Sequence, residues 1–117
     1  SKMDTKFQVY NKDTLLADVE VVNGQVSVKR YALIPGIQPF GCSDLKVTLE
    51  NINSFIESRC FERGRGDKDE ILAAMGLDIY DPWKIVRITH GRIWDDFTWI
   101  KFPGEDLSWK DVSNGRV

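Results

Sequence analysis

One histidine and two cysteines in 117 residues leave little material for the commoner kinds of catalysis. A single imidazole, His90, excludes a metal cage built on histidines. Cys42 and Cys60 lack Cys-x-x-Cys spacing and have no histidine nearby, so they read as free thiols in a reducing compartment, not as zinc ligands. No apolar run is long enough for a membrane span and no signal peptide is visible, which makes the cytoplasm the expected location. The net charge of -2 exerts no global pull on nucleic acid or anionic lipid. Gly-x-Ser-x-Gly, His-Glu-x-x-His, a Gly-Lys-Ser/Thr phosphate loop and the kinase signatures are all absent. Such a chain is expected to bind and not to catalyse, and no cofactor or metal is implied.

What is present is enough for one folded domain. Ser1-Lys2 ahead of Met3 reads as a cloning remnant, with the natural start at Met3. Residues 6–30 have the pattern of a β-meander. Phe7 and Val9 mark a first strand that turns near Lys12-Asp13. A second runs from 15 to 22, with Leu15, Ala17, Val19 and Val21 alternating against Leu16, Asp18, Glu20 and Val22. Asn23-Gly24 is a hairpin signal, because both central positions of a type I′ turn need positive φ, and Val26 and Val28 lie on the returning strand. Pro35-Gly36, Pro39 and Gly41-Cys42-Ser43 break residues 31–46 into a loop. Its Leu33, Ile34, Ile37 and Phe40 predict packing onto the body.

Thr48 is the expected N-cap of a helix over 49 to about 60, with Leu49, Ile52, Phe55 and Ile56 on its buried face. Arg63-Gly64-Arg65-Gly66 ends it. Asp67 and Glu70 then form a capping-box pattern for a second helix whose buried face is Ile71, Leu72, Met75 and Leu77, with Gly76 at its left-handed end. Asp81-Pro82 starts a third helix through Thr89, ended by Gly91, with Trp83, Val86 and either Ile85 or Ile88 facing inward. Residues 97–102 predict a strand stopped by Pro103-Gly104, and Ser108 with Asp111 caps a helical turn over 109–112. The fold class is α+β: a single domain with an N-terminal antiparallel meander, three short helices and a late strand rejoining the sheet.

The polar residues offer several chemistries. His90 stands at a helix C-terminus, where a cation meets the dipole; it could otherwise serve as a base, pair with Cys60, or act with Asp95 or Asp96 in hydrolysis. Asp95-Asp96 and Glu105-Asp106 lack the alternation of a calcium loop and read as caps and turns. Residues 59–92 carry seven basic groups against six acids, while residues 93–117 carry three against five, so the middle is locally basic. Arg63-Gly64-Arg65-Gly66 has two open readings: a phosphate cradle at a helix N-terminus, or a solvated connection. The expected partner-binding surface combines Arg59, Arg63, Arg65 and Lys68 with Arg87, His90, Arg92 and Trp94, since arginine and tryptophan together are favoured where proteins meet. The same patch could make weak nucleic-acid contact.

From Glu57 onward the chain resembles the small N-terminal region of Firmicutes HipA-like proteins, the kinase-fold toxins of toxin–antitoxin loci and their relatives on mobile elements. The resemblance runs through Arg59 with Arg63-Gly64-Arg65, through Asp69-Glu70-Ile71-Leu72 and Leu77, and through Gly91, Asp95-Asp96 and Trp99-Ile100. It ends in Leu107-Ser108-Trp109-Lys110-Asp111-Val112, similar to the segment that leads into the kinase body in that family. It covers about half the chain, and none of the kinase motifs is present. The resemblance implies a stand-alone accessory domain carried by a phage or other mobile element. Such a domain would occlude a larger partner, either a HipA-like kinase or a host-defence nucleoprotein such as a CRISPR nuclease.

Overall fold

The computed structural model describes residues 5–31, 40, 47–93 and 96–113. Asn23 (φ 53°) and Gly24 (φ 79°) adopt the left-handed pair that a two-residue hairpin requires, joining β2 (Thr14–Val22) to β3 (Gln25–Arg30). β1 (Thr5–Asn11) pairs antiparallel with β2, and the late strand β4 (Thr98–Lys101) pairs antiparallel with β1. The sheet order is therefore β3-β2-β1-β4, the α+β arrangement that the patterns predict. The outer edge of β4 is closed from inside the domain: Ile100 N–H donates to His90 O at 2.8 Å, and the Arg59 guanidinium donates to Thr98 O at 2.9 Å.

One prediction for β2 fails in an instructive way. Val9 lies opposite Ala17 but Tyr10 lies opposite Leu15, which leaves Leu16 as the extra residue of a β-bulge. The bulge turns both Leu16 and Ala17 inward and leaves Leu15 half-buried, so the alternation reverses phase at this point.

The helices are α1 (Leu49–Ser58), α2 (Lys68–Ala74), α3 (Pro82–Thr89) and α4 (Trp109–Ser113). Thr48 Oγ1 accepts from Asn51 N–H while Asn51 Oδ1 accepts from Thr48 N–H, a reciprocal cap on α1. Asp81 caps α3 through Trp83 N–H, with Pro82 at the first helical position. At α4 the Asp111 carboxylate reaches back to Ser108 N–H at 2.8 Å. The predicted capping box at Asp67 does not form, because the Asp67 carboxylate bonds Arg65 Nε at 2.6 Å instead of a helix amide. α1 stops two residues short of Cys60, where Arg59 leaves helical geometry and turns inward. α3 ends in His90 itself (φ 58°), one residue before Gly91.

α1 and α3 cover one face of the sheet. Ile52, Phe55, Ile56 and Val86 meet Phe7, Val9, Val19, Val21, Ile100 and Phe102 in one apolar cluster. Phe40, from the breaker-rich segment, packs edge-on against Phe55 with ring centroids 5.2 Å apart. Trp99 is fully buried, stacked on Tyr10, and its indole N–H donates to Lys12 O at 2.7 Å. Trp83 is only half-buried, its indole N–H donating to Asn53. Ile85 faces inward and Ile88 faces out. Leu33, Ile34, Ile37, Cys42, Trp94 and Asp95 lie outside the described residues. Among the described residues, no helix is long and apolar enough to cross a membrane.

Candidate functional site

The seven described residues among those expected to form one contact surface do not form a single patch. Arg59 is the first correction: it is 7% exposed, and its guanidinium is spent inside the domain. Nη1 and Nη2 grip both carboxylate oxygens of Asp96 at 2.8 Å, Nε donates to Gly91 O at 2.8 Å, and Nη2 also reaches Thr98 O. Such a planar fork suits arginine and no other side chain. Burial raises the Asp96 pKa, but the hydrogen bonds and charge of Arg59 outweigh it, with Thr98 N–H and Arg92 adding to them. Its carboxyl is held below the ordinary range. Arg59 therefore ties the end of α1 to the segment entering β4 and is withdrawn from any outer surface.

His90 is committed as well. Its Nε2 lies 2.9 Å from Glu105 Oε2, and the other Glu105 oxygen accepts Phe102 N–H at 2.8 Å, so the pair fastens the turn after β4 to the end of α3. Cys60 does not pair with it: the thiol lies against the carbonyls of Ile56 and Pro82, and burial pushes its pKa up to about 12. A thiol so protonated is a poor nucleophile. With Asp96 locked to Arg59, the hydrolytic set drawn from His90 and Asp96 is not assembled. Arg87 packs against the same turn, its guanidinium 4.5 Å over the Phe102 ring, beside a shallow depression with Lys6, Glu20 and Pro103.

The connection from Arg63 to Gly66 carries turn hydrogen bonds and neighbouring acids that leave less room for an anion. Two amides in and just after it are in use, Arg65 N–H donating to Glu62 O and Lys68 N–H to Arg65 O. The acids Asp67, Asp69 and Glu70 already stand at the start of α2. Each cation there also has a carboxylate: Arg63 with Glu57 at 3.0 Å, Arg65 with Asp67, and Lys68 with Asp69 at 3.4 Å. Arg63, 60% exposed, spreads over the Tyr80 ring at 4.3 Å.

What the fold does bring together is a cleft of about 650 Å³ between α2 and α3. Arg65 comes from the connection and Arg92 from beyond α3, so two of the expected loops meet there, with Arg59 beneath them. The walls are apolar: Ile71, Ala74 and Met75 from α2, and Ile85, Ile88 and Ile93 on the other side. Arg92 is held in place by donating to the carbonyls of Ile93 and Asp96 and by lying 4.6 Å over the Trp109 ring. Trp94, the remaining member of the expected surface, lies outside the described residues. The isoleucine walls are what the arginine-centred reading of the sequence overlooked. A signal existed: α3 carries Ile85, Val86 and Ile88, one apolar residue more than its buried face holds. Among the described residues, no cluster of three or more histidine, cysteine or carboxylate side chains could hold a metal ion.

No protein-family model, curated protein or solved structure matches this chain.

Proposed function

We propose that this chain is a non-enzymatic binding module that acts in the cytoplasm by occluding a surface on a larger protein or ribonucleoprotein. The observation that carries the reading is the distribution of its chemistry. His90, Cys60 and Asp96, the groups that a reaction would recruit, are tied into the scaffold. The exposed cations Arg63 and Arg65 and the apolar cleft stay on the surface beside one another. The resemblance to HipA-like N-terminal regions favours a HipA-like kinase as the partner, with a host-defence nucleoprotein such as a CRISPR nuclease as the other candidate and a mobile element as the source. Neighbouring carboxylates on Arg63, Arg65 and Lys68 weaken the field that a sequence-independent grip on nucleic acid would need.

The test compares capture of a partner from a Firmicutes lysate by the wild-type protein and by Arg63→Glu with Arg65→Glu, with and without nuclease treatment. Both pairs are exposed and contribute no more than about 1 kcal/mol each to stability, so the double variant stays folded. A nuclease-resistant partner that binds the wild type and loses about tenfold or more with the variant supports the reading. Undiminished capture by the variant removes the Arg63–Arg65 contact. Capture that vanishes with nuclease transfers the function to nucleic acid.

A further inference from the structure

α2 carries an apolar face that the domain leaves half-covered. Of Ile71, Leu72, Met75 and the adjoining Leu77, only Leu72 is buried. A seven-residue helix is too short to persist on backbone propensity alone, so its order depends on the packing of its apolar face. Ile71 and Met75 look instead into the cleft, across which stand Ile85, fully buried at its floor, and Ile88, 39% exposed at its rim. A volume of about 650 Å³ falls inside the range of roughly 300–1,000 Å³ in which clefts hold a ligand.

The charges specify the occupant further. Three guanidinium groups, Arg59, Arg65 and Arg92, line the cleft, and two carboxylates, Asp67 and Asp96, are bonded to the first two of them. Arg92 is satisfied by backbone carbonyls and an aromatic ring, which position a guanidinium without cancelling its charge. Among the described residues, the apolar walls thus end in an excess of one positive charge. We propose that the α2–α3 cleft seats a short partner segment that combines apolar side chains with a carboxylate, and that the segment completes the apolar face of α2. The apolar side chains pack between Ile71, Met75 and Ile88, and the carboxylate meets Arg92 and Arg65 at the rim. This inference rests on the protein-binding reading above and names the partner chemistry at that site.

A short random-peptide display library selected against the folded protein tests it without knowledge of the partner. The selected peptides should pair apolar residues with Asp or Glu, and their binding should slow hydrogen exchange at the amides of α2. Ile88→Asp should weaken them by about tenfold or more, while Ile79→Asp should stay within about twofold, because Ile79 is an exposed apolar residue that does not line the cleft. Selection against Arg65→Glu should shift the preference from acidic toward neutral or basic peptides. No enrichment, equal binding to the Ile88→Asp protein, unchanged exchange in α2, or peptides without a carboxylate would each overturn the proposal. Its failure is separable from that of the broader reading. Peptides that obey these rules while the lysate yields no partner uphold the cleft and sink the larger-partner function. A lysate partner that binds Ile88→Asp as tightly as wild type upholds the function and sinks the cleft.

Discussion

Replacing Arg59 by methionine should be the most damaging single change in the polar part of this molecule. The side chain is 7% exposed and serves three acceptor groups on the segment from Gly91 to Thr98. Methionine keeps much of the packing volume and removes every donor. The carbonyls of Gly91 and Thr98 then lose charge-assisted bonds worth about 1.5–3 kcal/mol apiece at most. Asp96 loses its fork but is 37% exposed, so water recovers part of that interaction. The expected loss is about 4 kcal/mol, which for a domain of this size lowers Tm by roughly 15 °C. Thermal and urea unfolding followed by circular dichroism would read it. Arg59→Lys should fall between wild type and Arg59→Met, because a single ammonium cannot span the three acceptors. Acid titration gives an independent check. The Asp96 carboxyl is depressed from 3.8 in the folded state, so the unfolded chain takes up its proton first. The stabilisation is therefore fully present above about pH 4 and is lost as the pH falls through the lower folded value. Asp96→Asn should flatten that acid limb, leaving the share due to Asp18, whose carboxyl the Tyr31 hydroxyl also holds low. An Arg59→Met protein within about 1 kcal/mol of wild type would refute the argument that this fork holds α1 to β4.

Gly91 (φ 68°) has Ile100 Cδ1 only 3.0 Å from where a Cβ would stand, so Gly91→Ala should cost about 2 kcal/mol or more in urea unfolding. Gly66→Ala, with open space around it, should stay within about 0.5 kcal/mol. Equal effects at the two positions would show that the crowding at Gly91 is not felt. Cys60, with its pKa pushed up to about 12 and its thiol against two carbonyls, should resist iodoacetamide at pH 8 in the native protein and react freely in urea. Peptide mapping by mass spectrometry distinguishes the two, and rapid native labelling would contradict the protection given by its partial burial and raised pKa.

Features set by a few neighbouring residues were legible in the sequence. The Asn23-Gly24 turn, the caps at Thr48, Asp81 and Ser108, and the stop after α3 each depend on side chains or φ preferences within about four positions. Illegible features were decided by competition or by distance. Asp67 is a good cap by composition, but Arg65, two residues earlier, holds its carboxylate. Leu15 and Leu16 are chemically alike, and only pairing with β1 reveals that the bulge sends Leu16 inward. Arg59 reads as one more surface cation in a basic stretch; its acceptors stand 32 to 39 positions further on, and nothing local announces them.

The candidate site illustrates the same limit from the apolar side. Periodicity assigns Ile71, Leu72, Met75 and Leu77 to a buried face, and the sequence is right that they form a face. Whether that face is covered depends on what the rest of the chain can bring to it. α1 and α3 spend Ile52, Phe55, Ile56 and Val86 on the sheet, so α2 is left with Leu72 inside and its neighbours at the wall of a cleft. Free energy still favours covering those side chains, at roughly 25 cal/mol for each Å² removed from water. The domain itself leaves that gain unused. The helix with least of its face buried is therefore where a partner gains most by binding. On the proposed cleft reading, exposed Ile88 and half-covered Met75 would therefore stand beside the arginines that first draw attention in the sequence.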